Sequence, residues 1–182
     1  MKTPKEYRNM EFRDLIIDLV TLLKPKSYLE LGVKNGFTFN SISKLVDKAY
    51  GVDIVKSSSV DIGKNCEFFQ FSTANFYSIF KPRNEKIDFI FIDADHSSIS
   101  VLNDVAMMKN FIRPYTGLIF LHDTFPVNFE LLSEGYCFDA WKAAKQIKSD
   151  PDLEIVTIPG PWAGLSILRF TPNNKFGWMD ED

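Results

Sequence analysis

Both histidines of the chain stand beside carboxylates: His96 follows Asp93-Ala94-Asp95, and His122 precedes Asp123. Each group comes directly after a short apolar run, Ile87-Asp88-Phe89-Ile90-Phe91-Ile92 in one case and Leu118-Ile119-Phe120-Leu121 in the other. Runs of this kind read as buried strands, and open α/β sheets bind ligands outside the carboxyl ends of their strands. Neighbouring strands lie ~4.8 Å apart, so if the two runs pair, Asp93 and Asp123 converge on one point. Two carboxylates that close repel unless one is protonated, paired or bridged by a cation. The chemistry open to such a set is removal of a proton from a hydroxyl. A hard divalent cation on Asp93 and Asp123 would lower the hydroxyl pKa, and His96 or His122, titrating near neutrality, would accept the proton. The same residues also suit a metal-dependent hydrolase, or plain structure, with the acids capping helices and the histidines as polar loop residues.

A second constellation lies upstream, in Tyr28-Leu29-Glu30-Leu31-Gly32-Val33-Lys34-Asn35-Gly36-Phe37-Thr38-Phe39. It reads as a strand, a glycine-bounded turn and the first turn of a helix, against which a nucleotide-like ligand can sit. Gly32 lets the chain leave the strand at φ values a side chain forbids, and Gly36 allows close backbone approach. Glu30 is a carboxylate in a buried strand, costly unless something neutralises it, and a ligand with hydroxyls or a positive charge would do so. Asp53 ends a second apolar strand roughly 20 residues on, where such folds place an acid on a ribose hydroxyl. Lys34 and Asn35 stand between the glycines, so the G-x-G-x-x-G spacing that bares backbone N–H groups for a pyrophosphate is missing. That spacing disfavours an NAD-dependent dehydrogenase. S-adenosylmethionine carries an amino acid, a ribose and a sulfonium instead of phosphate, and an acid just before the glycine suits that charge better.

Helices and strands must alternate to position these groups. Tyr7 to Lys24 places Phe12, Leu15, Ile16, Leu19, Leu22 and Leu23 on one helical face, a packing helix within residues 1–26 that ends at Pro25. Strands are expected at Ser27–Leu31, Ala49–Asp53, Cys66–Phe71, Ile87–Ile92, Leu118–Leu121, Leu153–Ile158 and Leu165–Phe170. A helix spans Thr38 to Lys48, with Phe39, Ile42, Leu45 and Val46 inward. The serine-rich connection Lys56–Lys64 leaves space for a helix of a turn or two. Ser97 or Ser98 caps a helix reaching about Phe111, and another starts near Asp139. Thr124 to Phe138 is a long irregular segment of the kind that forms lids. If the sixth strand runs parallel to the first five, the loop Pro159 to Gly164 returns to the ligand edge and Trp162 overhangs the site.

The chain has 182 residues, enough for one full core and too few for separate cofactor and substrate domains. Residues 1–182 are therefore read as a single domain with a loosely held tail at 171–182. A net charge of −3 gives no electrostatic footprint for nucleic acid or an anionic membrane. No apolar run approaches membrane length and no signal-peptide core is present, so a cytoplasmic protein is expected. The expected partners are a small-molecule acceptor and, for assembly, at most a second copy of the chain. Cys66 and Cys137 are in no metal or redox spacing and read as free thiols.

The segment E-L-G-V-K-N-G resembles the first motif of class I S-adenosylmethionine-dependent methyltransferases, E-x-G-x-x-x-G, in which a further glycine often stands where Lys34 is here. With D-A-D-H-S, H-D-T and W-K…G-P-W-A-G-L, the stretch from Ser27 to Phe170 looks like the metal-associated O-methyltransferase branch that includes sugar and macrolide-sugar methyltransferases and cephalosporin hydroxylase-like proteins. The resemblance implies a three-layer αβα, Rossmann-like doubly wound sheet of seven strands, order 3-2-1-4-5-7-6, with the seventh antiparallel. It implies methyl transfer from S-adenosylmethionine to a hydroxyl of a sugar, polyol or natural product. Glu30, Gly32, Lys34, Asn35, Gly36, Asp53, Ile54, Ser72 and Asp93 are then the cofactor residues, with Ser72 toward the adenine. Asp93 and Asp123 match acids that carry Mg2+ or another divalent cation, and His96, His122 and Asp93 are the catalytic candidates. Catechol-type relatives follow the second acid with a third ligand, commonly Asn, where Thr124 stands here. A cofactor-binding module without catalysis is the remaining alternative.

Overall fold

A computed structural model describes residues 11–160 and 162–172. The apolar runs become strands because both of their faces are covered. Five parallel strands come first in the chain: β1 (Ser27–Leu31), β2 (Lys48–Asp53), β3 (Cys66–Gln70), β4 (Phe89–Ile92) and β5 (Leu118–His122). β6 (Leu153–Ile158) and β7 (Leu165–Phe170) complete a single sheet of order β3-β2-β1-β4-β5-β7-β6. β7 is antiparallel to both β5 and β6, so β6 runs with the first five and its end reaches the same edge. This is the expected topology.

Alternation along each strand divides the core in two. Leu29, Leu31, Ile90, Ile92, Ile119 and Leu121 face one side, where α3 (Thr73–Phe80), α4 (Ser98–Met108) and α5 (Ala140–Ile147) cover them. Tyr28, Phe89, Phe91 and Phe120 face the other, beneath α1 (Phe12–Leu23) and α2 (Phe37–Ile42). A side chain and its neighbour two residues on share a face, so Glu30 lies on the Tyr28 side.

Several elements differ from their expected bounds. Within α1, Ile16 and Val20 are buried, but Leu22 and Leu23, in its last turn, are exposed. Tyr7 and residues 1–10 lie outside the described residues, as does the tail beyond 172. α2 stops at Ile42 and continues as a 3-10 turn, Ser43–Leu45, leaving Leu45 exposed. No helix forms between β2 and β3. Buried Val60 plugs that crossover, and Asn40 pins it by donating to the Ser59 carbonyl (2.8 Å) and accepting from the Asp61 amide (2.8 Å). α3 was not anticipated; the Ser72 hydroxyl caps it and Phe76 and Phe80 bury its inner face. β4 begins at Phe89, since Ile87 forms only an isolated bridge to Ile112. Ser97 is the cap of α4. Asp104, on that helix, is 2% exposed, and its Oδ2 has no partner among the described residues.

Candidate active site

β4 and β5 are hydrogen-bonded neighbours, and their ends bring Asp93, His122 and Asp123 together. Asp123 adopts a left-handed φ of 59°, which turns its carboxylate back toward β4. His122 Nε2 lies 3.0 Å from the Trp162 carbonyl oxygen, which can only accept, so Nε2 carries a proton. Its Nδ1 lies 3.2 Å from Asp93 Oδ1 and 3.3 Å from Asp123 Oδ1, which makes that nitrogen a donor as well. His96 is held in the same way. Its Nδ1 meets the Tyr136 carbonyl and, at 3.2 Å, Asp123 Oδ2, while Nε2 is 3.6 Å from Asp93 Oδ1. Burial disfavours charge on His122, but Asp123 and Asp93 outweigh it and push its pKa up to about 10. His96, bonded to Asp93, is pushed up to about 9 against the opposing effect of burial. Burial would raise Asp93, yet the two imidazoles hold it below the usual carboxylate range. Both histidines are thus held above the near-neutral range expected from the sequence.

Other elements fix this cluster. The ring of Phe12 on α1 packs on His122 with centroids 4.0 Å apart, and Phe12 also meets Trp162 at 6.3 Å. Cys137 Sγ donates to Asp123 Oδ1 (3.4 Å), and burial followed by the Asp123 charge pushes its thiol up to about 12. Tyr136 and Cys137 carry no sequence signal for this role, since a backbone carbonyl and a lone thiol match no motif. Asp93, His122 and Asp123 offer ligand atoms within 4.8 Å of one another, which fits a divalent cation once His122 has lost its Nδ1 proton. Thr124 Oγ1, at the position of the third ligand in catechol-type relatives, accepts from Ser166 instead (2.8 Å).

The turn after β1 abuts the same cluster. Gly32 has a φ of 89°, and a Cβ built there would sit 2.2 Å from the Asp93 carbonyl oxygen. Lys34, at the often-glycine position, adopts φ 50° and donates its amide to Asp53 Oδ2 (2.7 Å). Asp53 Oδ1 accepts from the Val55 amide (3.0 Å), so Asp53 braces the turn as well as facing the cleft. Glu30 is 2% exposed and accepts from the Tyr28 hydroxyl (2.6 Å). That neighbour gives the carboxyl a partner within the chain, and burial raises its pKa well above the ordinary range. The i, i+2 pairing of Tyr28 with Glu30 on one strand face was the signal that could have revealed it. Asn35 is exposed and Gly36 caps α2 at φ 76°. Gly32, Asp53, Ile54 and Ser72 line a cleft of about 430 Å³ together with Phe71 and Ala94. Ile54 and Phe71 present exposed apolar surface there. Phe71 was missed because it reads as the last residue of a strand.

A pocket of about 410 Å³ is lined by Thr124, Phe125, Val127, Phe129, Leu132 and Trp141. The segment expected as a lid supplies most of this lining, while its far end supplies Tyr136 and Cys137 to the cluster.

A family model described as a methyltransferase domain matches residues 29–124. No curated protein sequence matches the chain. Among solved structures, the chain resembles an O-methyltransferase from Bacillus cereus in complex with SAH, at 13% identity and a TM-score of 0.69, covering 94% of this chain and 83% of that one. It also resembles an O-methyltransferase from Streptomyces achromogenes, involved in tomaymycin synthesis and solved with SAM, at 13% identity and a TM-score of 0.70, covering 87% and 79%. A third, described as an O-methyltransferase from Klebsiella pneumoniae of inferred activity, has 14% identity and a TM-score of 0.69, covering 94% and 82%. At these identities the likeness is one of fold.

Proposed function

The chain belongs to the methyltransferase-domain family, and from that premise we propose that it moves the methyl group of S-adenosylmethionine to a hydroxyl oxygen of a small-molecule acceptor. One observation carries the reading. The strand end Asp93-Ala94 lies against Gly32 and walls the cleft, while the Asp93 side chain belongs to the acid–histidine cluster. A ligand in the cleft would lie at Ala94, next along the chain to an acid of that cluster, which supports the reading.

The residues divide the work by position. Ile54 and Phe71 offer apolar surface for a base, and Ser72 lies at its edge. Asp53 keeps lone pairs for ribose hydroxyls after bracing Lys34 and Val55, because a carboxylate offers about four. Lys34, Asn35 and Gly36 shape the turn. S-adenosylmethionine, when bound, supplies an electrophilic methyl whose bond to sulfur breaks as the bond to oxygen forms. Asp93 and Asp123 orient His96 and His122, and His122 is further fixed by the Trp162 carbonyl and Phe12. His96 is the less tightly held of the two and serves as the base once it has released its proton. Asp93, Asp123 and neutral His122 would hold a divalent cation, which would polarise the acceptor oxygen. Alignment of oxygen and methyl supplies most of the rate.

Calorimetric titration with S-adenosylmethionine and S-adenosylhomocysteine, with Mg2+ and with EDTA, tests the reading. Micromolar binding of both, weakened at least tenfold in an Ile54→Asp variant whose exposed site lets it fold, is expected. Absence of binding by the folded native chain would sink the proposal.

A further inference from the structure

We propose that the pocket lined by Phe125, Val127, Phe129, Leu132 and Trp141 is the acceptor subsite, and that it takes a hydroxyl borne on a flat apolar ring system rather than a sugar or polyol. The inference rests on the methyltransferase reading and names the substrate class for that site. Three features support it.

Position comes first. Thr124, in the lining of the pocket, directly follows Asp123, and Ala94, in the lining of the cleft, directly follows Asp93, so each hollow adjoins one acid of the cluster along the chain. Loops that leave β4 and β5 thus supply residues to both hollows.

Surface chemistry comes second. Phe129 is 91% exposed, and Val127 and Phe125 are also exposed, an unusual concentration of apolar side chains around a concave site. The backbone of Phe125 is anchored, because its amide donates to the Ala163 carbonyl (2.7 Å) and Gly164 leaves no space for a Cβ against it. One aromatic wall is thus fixed, at the start of the segment.

The third feature is the scarcity of polar groups. A polyol needs a partner for each hydroxyl it buries, since an unmatched one costs its full desolvation. The lining offers Asn128, whose Oδ1 already accepts from the Leu131 amide (3.1 Å), and Thr124. Thr124 Oγ1 accepts from Ser166, which leaves its own proton without a partner among the described residues. One donor at the inner wall beside the cluster suits one hydroxyl on an otherwise apolar body.

The test uses 2-naphthol as a probe, titrated into the full chain saturated with S-adenosylhomocysteine, with myo-inositol as the comparison. Expected are saturable 2-naphthol binding, no inositol binding at millimolar concentration, and at least fivefold weaker 2-naphthol binding in Phe129→Ser. Because Phe129 is exposed, that variant should fold, and unchanged S-adenosylhomocysteine affinity would verify it. Inositol binding without 2-naphthol binding, or 2-naphthol binding indifferent to both Phe129→Ser and Leu132→Ser, would overturn the subsite. If 2-naphthol binds as expected but S-adenosylhomocysteine does not bind the native chain, the methyltransferase reading fails while the pocket stands.

Discussion

Lys34 occupies a backbone conformation that a glycine would hold more cheaply. A left-handed residue with a Cβ costs about 1–2 kcal/mol, against about 0.5–1 kcal/mol of extra chain entropy for glycine. Lys34→Gly is therefore expected to leave stability unchanged or raise it by about 0.5 kcal/mol in urea unfolding; a loss above about 1 kcal/mol would show that the lysine side chain contributes. The missing middle glycine is thus a change of residue and not of turn, because the Lys34 amide still reaches Asp53. Asp53→Ala removes that brace and the ribose acceptor together, and S-adenosylhomocysteine binding should weaken about tenfold or more by calorimetry. Unchanged affinity would dismiss Asp53 as a cofactor residue. Burial pushes Asp104 up to about 6, above the ordinary value of 3.8. Its contribution to stability is full below pH 3.8 and is lost as pH rises through about 6. Asp104→Asn should therefore raise the Tm at pH 8 and flatten the profile between those limits.

The elements were legible where burial repeats along a run and illegible where contacts from elsewhere decide. The strand-ending acids and both histidines were placed correctly at the edge because apolar runs fix where strands stop. The helix expected through Lys48 ends at Ile42 because the Lys48 amide is drawn to the Lys26 carbonyl (3.0 Å), a contact no local pattern encodes. The pairing of His96 with the Tyr136 carbonyl was likewise hidden, since it joins two loops across forty residues of sequence. What was read as a lid has a pinned end at Tyr136–Cys137 and an exposed middle from Val127 to Phe129. Hydrogen exchange in that middle stretch should slow when S-adenosylhomocysteine and an acceptor are both bound; equal exchange in free and ternary states would argue against closure.

At the scale of the whole molecule, the cluster ties stability to pH. His96 and His122 have folded pKa values raised to about 9 and about 10 from 6.5, so their contribution is full below pH 6.5 and is lost as pH rises through 9 and 10. The Tm should fall over that window, and a His96→Gln, His122→Gln double variant should lack the fall; an identical decline in both proteins would assign it to other groups. The register of the sheet has a further consequence, for the order in which the molecule assembles. Ala49 finds Cys66 and Leu153 finds Phe170 over short stretches of chain, whereas Tyr28 in the central seam must find Phe89. Closing the longer loop costs about 1 kcal/mol more in chain entropy, which favours nucleation at the two margins and late zipping of β1 onto β4. Gly32 and Asp93 lie at the end of that seam, so the reactive edge would be among the last parts of the protein to exist, and a nascent chain would carry no half-built site.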